Sequence, residues 1–220
     1  MIELKELVKD LVGRLPLDLC VPYSRGHRED AFKTFRDSLR GWSGTISVAS
    51  HGEGRWNRSR ALNRAIEQIK MPKRNVMVTD ADTLSSPMLL TSICVLCSTG
   101  HDMLLGEVFG SPSGLWRGRA GMGGCCVFPR YLWEAIGGFD EEYEVWGQED
   151  NDFVFRAEKF SGRRFEWIED LIPWVLPPIH LDHPAPDYGV DDIGALMANR
   201  NRLAMTKDGT LPIVRPRAKP

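Results

Sequence analysis

The segment WGQEDNDFVFR (146–156) places three carboxylates, Glu149, Asp150 and Asp152, within four positions, directly behind Trp146 and Gly147. Acids in the first turn of a helix stabilise it by about 0.3–1 kcal/mol each, which accounts for them as a cap. It does not account for the tryptophan in front. An aromatic ring beside carboxylates suits a sugar, whose C–H face lies on the ring while its hydroxyls meet the acids. A carboxylate there could also take the proton of an acceptor hydroxyl as a general base.

Three other groups fit the same chemistry. TDAD (79–82) sets Asp80 and Asp82 at the end of the apolar run NVMV. In extended chain they point the same way, forming a hard-oxygen half-site for Mg²⁺ or Mn²⁺ that would neutralise a diphosphate. A solvated turn explains most bare pairs of this kind. HLDHP (180–184) holds His180 and His183 in an irregular segment able to fold over a site. Imidazole beside carboxylates favours Mn²⁺, although structural histidines are commoner. In RWNRSRALNRAI (55–66), Arg58 and Arg60 fall in the first turn of a predicted helix. That end is already positive and offers free N–H groups. Cations are misplaced there, which points to an anionic guest such as phosphate, the alternative being a solvated polar face.

The elements that must position these residues alternate through the first half. LDLCVPYS (17–24), GTISVAS (44–50) and NVMVTDAD (75–82) read as strands. Residues 28–42, 57–70 and 86–98 read as helices, with Asn57 as a cap. DMLLGEVF (102–109) reads as a further strand. The alternation predicts an α/β fold with a mostly parallel sheet and ligands at the carboxyl ends of its strands. The second half predicts a strand in GMGGCCVF (121–128), a short helix closed by Gly137 and Gly138, and a helix over 149–161. That last helix would turn Phe153, Val154, Ala157 and Phe160 inward. LIPWVLPPIHLDHP (171–184) is extended and broken by prolines, PDYGVDDIG (186–194) reads as a mobile loop, and a final helix covers 190–207.

Bulk properties narrow the class. The 220 residues are 42% hydrophobic and 26% charged, as expected for one globular domain. A net charge of −2 provides no basic field for nucleic acid. Arg200, Arg202, Lys207, Arg215, Arg217 and Lys219 make only the end basic, and read as a solvated helix face and a loose tail. No signal-peptide pattern is seen, nor an apolar run of the roughly 18 residues a membrane span needs. A soluble, cytoplasmic protein is therefore expected. The five cysteines, 20, 94, 97, 125 and 126, lack zinc spacing and read as reduced, structural thiols.

Taken in order, VPYSR, WNRSRALNRAI, VTDAD, GGCCVFPRYLWEAIGGFDEEY, WGQEDND and HLDHP resemble the metal-dependent GT-A glycosyltransferases, in particular the catalytic domain of the β-galactosyltransferase branch and related bacterial family-2-like enzymes. The resemblance spans about residues 17–184. It implies a Rossmann-like nucleotide-diphospho-sugar transferase fold in a single domain, followed by a loop, helix and basic tail over 185–220. It implies Mn²⁺ or Mg²⁺ as cofactor and a nucleotide-sugar donor, most simply a UDP-sugar.

The roles it implies are specific. Pro22, Tyr23 and Arg25 would border the nucleotide, and Arg58 would contact the diphosphate. Asp80 would lie near the ribose and metal, Asp82 would ligate the metal, and His180 or His183 would complete its site. Gly123 and Gly124 would admit the donor sugar. Trp146 would line the acceptor pocket, Glu149 would hold sugar hydroxyls, and Asp150 would be the general base of an inverting transfer. The pattern departs at Gln148, where the family usually has glycine, and at Asn151, where it often has aspartate. Both changes bear on the acceptor, which is a glycan, a protein or a modified nucleic acid. Without an anchor or disulfides, the chain resembles a bacterial or viral-type soluble form. Two other readings compete. A nucleotidyltransferase would need a glycine-rich loop with a lysine, and PYSRGHRED has neither; an inactive nucleotide- or glycan-binding module would have lost an acid that both motifs here retain.

Overall fold

A computed structural model describes residues 17–23, 29–40, 42, 44–70, 74–111, 124–145, 147–181 and 190–216. Its centre is a six-stranded sheet. The strands β1 (Leu17–Pro22), β2 (Thr45–Ala49) and β3 (Asn75–Val78) alternate with helices α1 (Glu29–Ser38) and α2 (Arg58–Glu67). After β3 come β4 (Thr83–Leu84), α3 (Pro87–Ser98), β5 (Leu104–Leu105), β6 (Phe109–Ser111), β7 (Cys126–Pro129) and α4 (Arg130–Ile136). The chain continues through α5 (Glu149–Ser161), β8 (Glu166–Trp167), α6 (Ile168–Leu171), β9 (Ile179–Leu181) and α7 (Val190–Lys207).

The sheet order is β2-β1-β3-β7-β5-β8, and only β7 runs against the rest. Every residue of β1 and β3 is buried, because helices cover both faces. Alternation along the strands divides the core. Cys20, Val76 and Val78 pack under α2, α4 and α5, while Leu19, Val21 and Met77 pack under α1 and α3. Strand β2, at the sheet edge, alternates instead, with Ile46 and Val48 exposed. A second sheet, β4-β9-β6, lies beyond the end of β3. The five cysteines are buried and unbridged; burial pushes the Cys94, Cys97 and Cys125 thiols up to about 12, so they pack as small apolar groups.

The structure corrects four expectations. The strand expected over 75–82 stops at Val78, and the chain turns, the Thr83 N–H donating to the Asp80 carbonyl at 3.0 Å. Asp80 and Asp82 therefore do not share an extended strand. The strand expected over 102–109 splits between the two sheets at Gly106. A Cβ there would sit 2.9 Å from the Cys125 Sγ. Phe160, in the last turn of α5, is 48% exposed and does not join the core.

The fourth correction concerns the basic end. Arg202 and Arg215 are not on a loose tail: Arg215 is 8% exposed and ion-paired with Asp140. Helix α7 has the bounds expected for the final helix, and its start at Val190 falls inside the segment read as a loop; residues 186–189 of that segment lie outside the described residues.

Candidate active site

The register between β4 and β9 makes the first half of the site. Thr83 pairs with His180, and the Leu181 N–H donates to the Asp82 carbonyl at 2.7 Å. This sets the His180 Nε2 3.5 Å from Asp82 Oδ1. Asp82 is fully buried and His180 is 8% exposed. A carboxylate withdrawn from water calls for a cationic neighbour, and carboxylate plus imidazole is a donor set that suits Mn²⁺. The two residues thus fit a divalent metal from one side. Among the described residues no group of three or more histidine, cysteine or acidic side chains gathers. His183 lies outside them.

The second half is built on α2 and α5. Asn57 caps α2, its side chain accepting the Arg60 N–H at 2.8 Å. Its amide nitrogen donates to the Glu141 carbonyl at 2.7 Å, which fixes the start of the helix to the turn after α4. Arg58 follows, 5% exposed. Its Nε and Nη2 both lie 2.8 Å from Asp80 Oδ1, and its Nη1 lies 3.2 Å from Glu149 Oε1. Arg60 reaches Glu141 at 3.4 Å. The misplaced cations at this helix start are thus answered by the protein's own carboxylates.

Glu149 and Asp150 open α5, Glu149 buried and Asp150 half-buried. Burial and the neighbouring Asp150 push the Glu149 carboxyl up to about 7, with Arg58 opposing. Burial, with Asp80 adding to it, also raises Asp150, against the pull of Arg58 and of the Asn151 N–H, which donates to Asp150 Oδ1 at 2.7 Å. Arg58 itself is held charged. Burial disfavours its cation, but Asp80, Glu149 and Asp150 prevail and raise its pKa.

The approach to α5 is strained. Val145, Gly147 and Gln148 all have positive φ, at 62°, 98° and 77°. Only glycine takes that region freely, and a β-branched residue there is an outlier. The Val145 N–H is tied to the Trp56 carbonyl at 2.9 Å, which holds the bend. Gln148 occupies a left-handed position natural to glycine, and its Oε1 accepts from the Asn151 Nδ2 at 3.2 Å. The two departures from the family pattern are thus joined to each other. Trp146, between them and Val145, lies outside the described residues.

Of the remaining expected residues, Pro22, Tyr23 and Gly124 sit at or beside strand ends. Tyr23, after Pro22, stacks on Phe32 at 4.2 Å and donates its N–H to the Ala49 carbonyl at 2.9 Å. Gly124 accepts from Thr79 Oγ1 at 2.9 Å, and a Cβ on it would meet Val108 Cγ2 at 2.6 Å. Packing against Val108 is thus enough to demand glycine there. Arg25 and Gly123 are outside the described residues. Sequence reading missed Asn63. Its amide donates to the Phe139 carbonyl and to Glu141, both at 2.9 Å, and its Oδ1 accepts from Trp133 Nε1 and the Phe139 N–H. It holds the GGFDEE turn against α2. The only hint was a polar residue inside an apolar helical stripe.

Residues 115–170, the stretch that carries Glu149 and Asp150, match the family described as the N-terminal domain of galactosyltransferase. The catalytic domain of Drosophila β1,4-galactosyltransferase 7, in complex with xylobiose, aligns at 18% identity over 69% of this chain and 63% of that one, with a TM-score of 0.48. A mutant of the same Drosophila enzyme, in complex with manganese, UDP-Gal and xylobiose, aligns at 14% identity over 80% of this chain and 78% of that one, with a TM-score of 0.56. The chain shares the GT-A fold of that galactosyltransferase. No curated protein matches it in sequence. In this GT-A fold the Asp82–His180 pair and the α5 carboxylates lie beyond the carboxyl ends of β1 and β3, where the strand order reverses and ligands bind in open α/β sheets. Among the described residues no helix is long and apolar enough to cross a membrane.

Proposed function

We propose that the chain is a metal-dependent glycosyltransferase that moves a sugar from a UDP-sugar to a hydroxyl of a glycan acceptor with inversion. The observation that carries this is the paired carboxylate at the start of α5, tied through Arg58 to the turn that leads into the Asp82–His180 pair. The Drosophila relative supports the donor and acceptor classes, its complex holding UDP-Gal and xylobiose.

Asp82 and His180 would hold the metal, which supplies positive charge to the leaving diphosphate. Glu149 Oε2 is buried and accepts no hydrogen bond among the described residues, which leaves it for a sugar hydroxyl. Asp150, raised from the ordinary carboxylate range, takes the acceptor proton; a base closer to neutrality removes it more effectively. The resulting oxygen attacks the anomeric carbon opposite the leaving group, so one displacement inverts the centre. Tyr23 and Pro22 flank the nucleotide, and the strained Gln148–Asn151 bend shapes the acceptor side.

Hydrolysis of a panel of nucleotide sugars, with and without Mn²⁺, tests this without knowledge of the acceptor. The expected result is Mn²⁺-dependent release of UDP from one donor, abolished in Asp82→Ala and reduced by about 10²–10⁴-fold in Asp150→Asn, the range of a lost general base. No hydrolysis and no Mn²⁺-dependent nucleotide binding would overturn it.

A further inference from the structure

We propose that Arg58 is a positioning residue that locks the acceptor-side carboxylates of α5 to the donor-side turn after β3, rather than a ligand of the diphosphate. The inference rests on the transferase reading and names how its two halves are held together. Arg58 is 5% exposed, and its fork is already engaged, Nε and Nη2 at 2.8 Å from Asp80 Oδ1 and Nη1 at 3.2 Å from Glu149 Oε1. Its backbone is fixed as firmly as its head. Asn57 caps α2 and clasps the Glu141 carbonyl at 2.7 Å.

The consequence follows from chain connectivity. Glu149 and Asp150 are consecutive residues of one helical turn, so a guanidinium that fixes Glu149 also fixes the backbone that presents Asp150. The approach to that turn carries positive φ at Val145, Gly147 and Gln148 and would relax if the anchor were removed. A lysine cannot replace the fork: one ammonium is a point charge and does not span two carboxylates in fixed directions.

The test compares wild type, Arg58→Lys, Glu149→Gln and the double variant, reading UDP affinity by calorimetry with Mn²⁺ and kcat for donor hydrolysis. In Arg58→Lys, UDP affinity is expected to stay within about 3-fold while kcat falls roughly 10²-fold, the cost of misplacing a reacting group by about an ångström. The double variant should be no slower than the slower single one. A UDP affinity more than about 10-fold weaker with kcat retained would make Arg58 a diphosphate ligand and overturn the proposal; an unchanged kcat would also overturn it. The same four proteins are unfolded thermally without any ligand. Non-additive shifts are expected of a formed Arg58–Glu149 lock, and additive shifts would refute it. That readout needs no donor. A wild type that binds no nucleotide would remove the transferase reading, while the unfolding cycle still decides the lock.

Discussion

Glu149 shows how one residue can be costly to the fold and useful to the site. Its carboxyl is raised from 4.5 to about 7 by burial and by Asp150, so the folded state binds a proton that the unfolded chain releases. A raised carboxyl contributes stability that is present below the unfolded pKa and is lost as pH climbs through the folded one. With each unit worth about 1.4 kcal/mol, metal-free wild type should lose about 2–3 kcal/mol from this group between pH 5 and pH 8. Glu149→Gln, which cannot ionise, removes that slope. Urea unfolding at the two pH values, with a chelator present, measures it. An equal slope in both proteins would mean that the Arg58 pair cancels the burial. The acids of WGQEDND stood out in the sequence by density alone. Their unequal environments were not legible there, because Arg58 lies 91 residues away along the chain and only folding brings it to 3.2 Å.

Among the elements, α4 and its exit decide where the site-bearing turn begins. Gly137 ends α4 with φ at 82°, and a Cβ on it would stand 1.5 Å from the Arg215 carbonyl. Gly137→Ala therefore meets both a backbone penalty of about 1 kcal/mol and a clash with main chain that no rotamer relieves. The loss is expected to exceed about 2 kcal/mol, seen as a Tm lower by several degrees. A Tm within a degree of wild type would show that the segment at Arg215 yields freely.

The GG pair was readable as a helix stop because left-handed caps select glycine. Helix α5 was readable for a related reason: a run of many residues with one apolar stripe leaves little doubt about its period. Strands β4, β6, β8 and β9 have two or three residues each and show no period at all. The Asp82–His180 pairing depends on the register of two of them. The sequence therefore yielded both residues as candidates without the contact that joins them.

Across the whole molecule, the far end of the chain is built into the frame of the site. Arg215 pairs with Asp140 and lies 3.3 Å from Asp152, while Arg202 meets Asp140 at 2.7 Å. Thr206 donates to Asp152 Oδ1 at 2.9 Å, and Arg156 pairs with Asp152 at 2.7 Å and donates to the Ile136 and Gly138 carbonyls. Asn199 adds a bond to the Glu144 carbonyl at 2.8 Å. Helix α7 and the segment after it thus clasp both flanks of the strained bend. Composition alone read these arginines as a solvated tail, because nothing local marks a cation whose partner is 75 residues distant.

Burial makes the network sensitive to loss of one member. Arg215→Ala leaves Asp140 with Arg202 and Asp152 with Arg156, so the cost should be about 3 kcal/mol rather than complete unfolding. The sign with pH is set by Asp140: burial alone would raise it, but Arg202, the Glu142 N–H and Arg215 hold it below 3.8. A depressed carboxyl gives stability above its unfolded pKa and loses it as pH falls through the folded one. The gap between wild type and Arg215→Ala should therefore be widest near neutrality and shrink below about pH 4. Denaturant unfolding of the two proteins at pH 7 and pH 3.5 reads the gap directly. If the gap is instead as large in acid, the arginine acts through its packed alkyl stem and not through the aspartates. If the gap is absent at neutral pH, the terminal segment is a passenger and the bend before α5 is held from α2 alone.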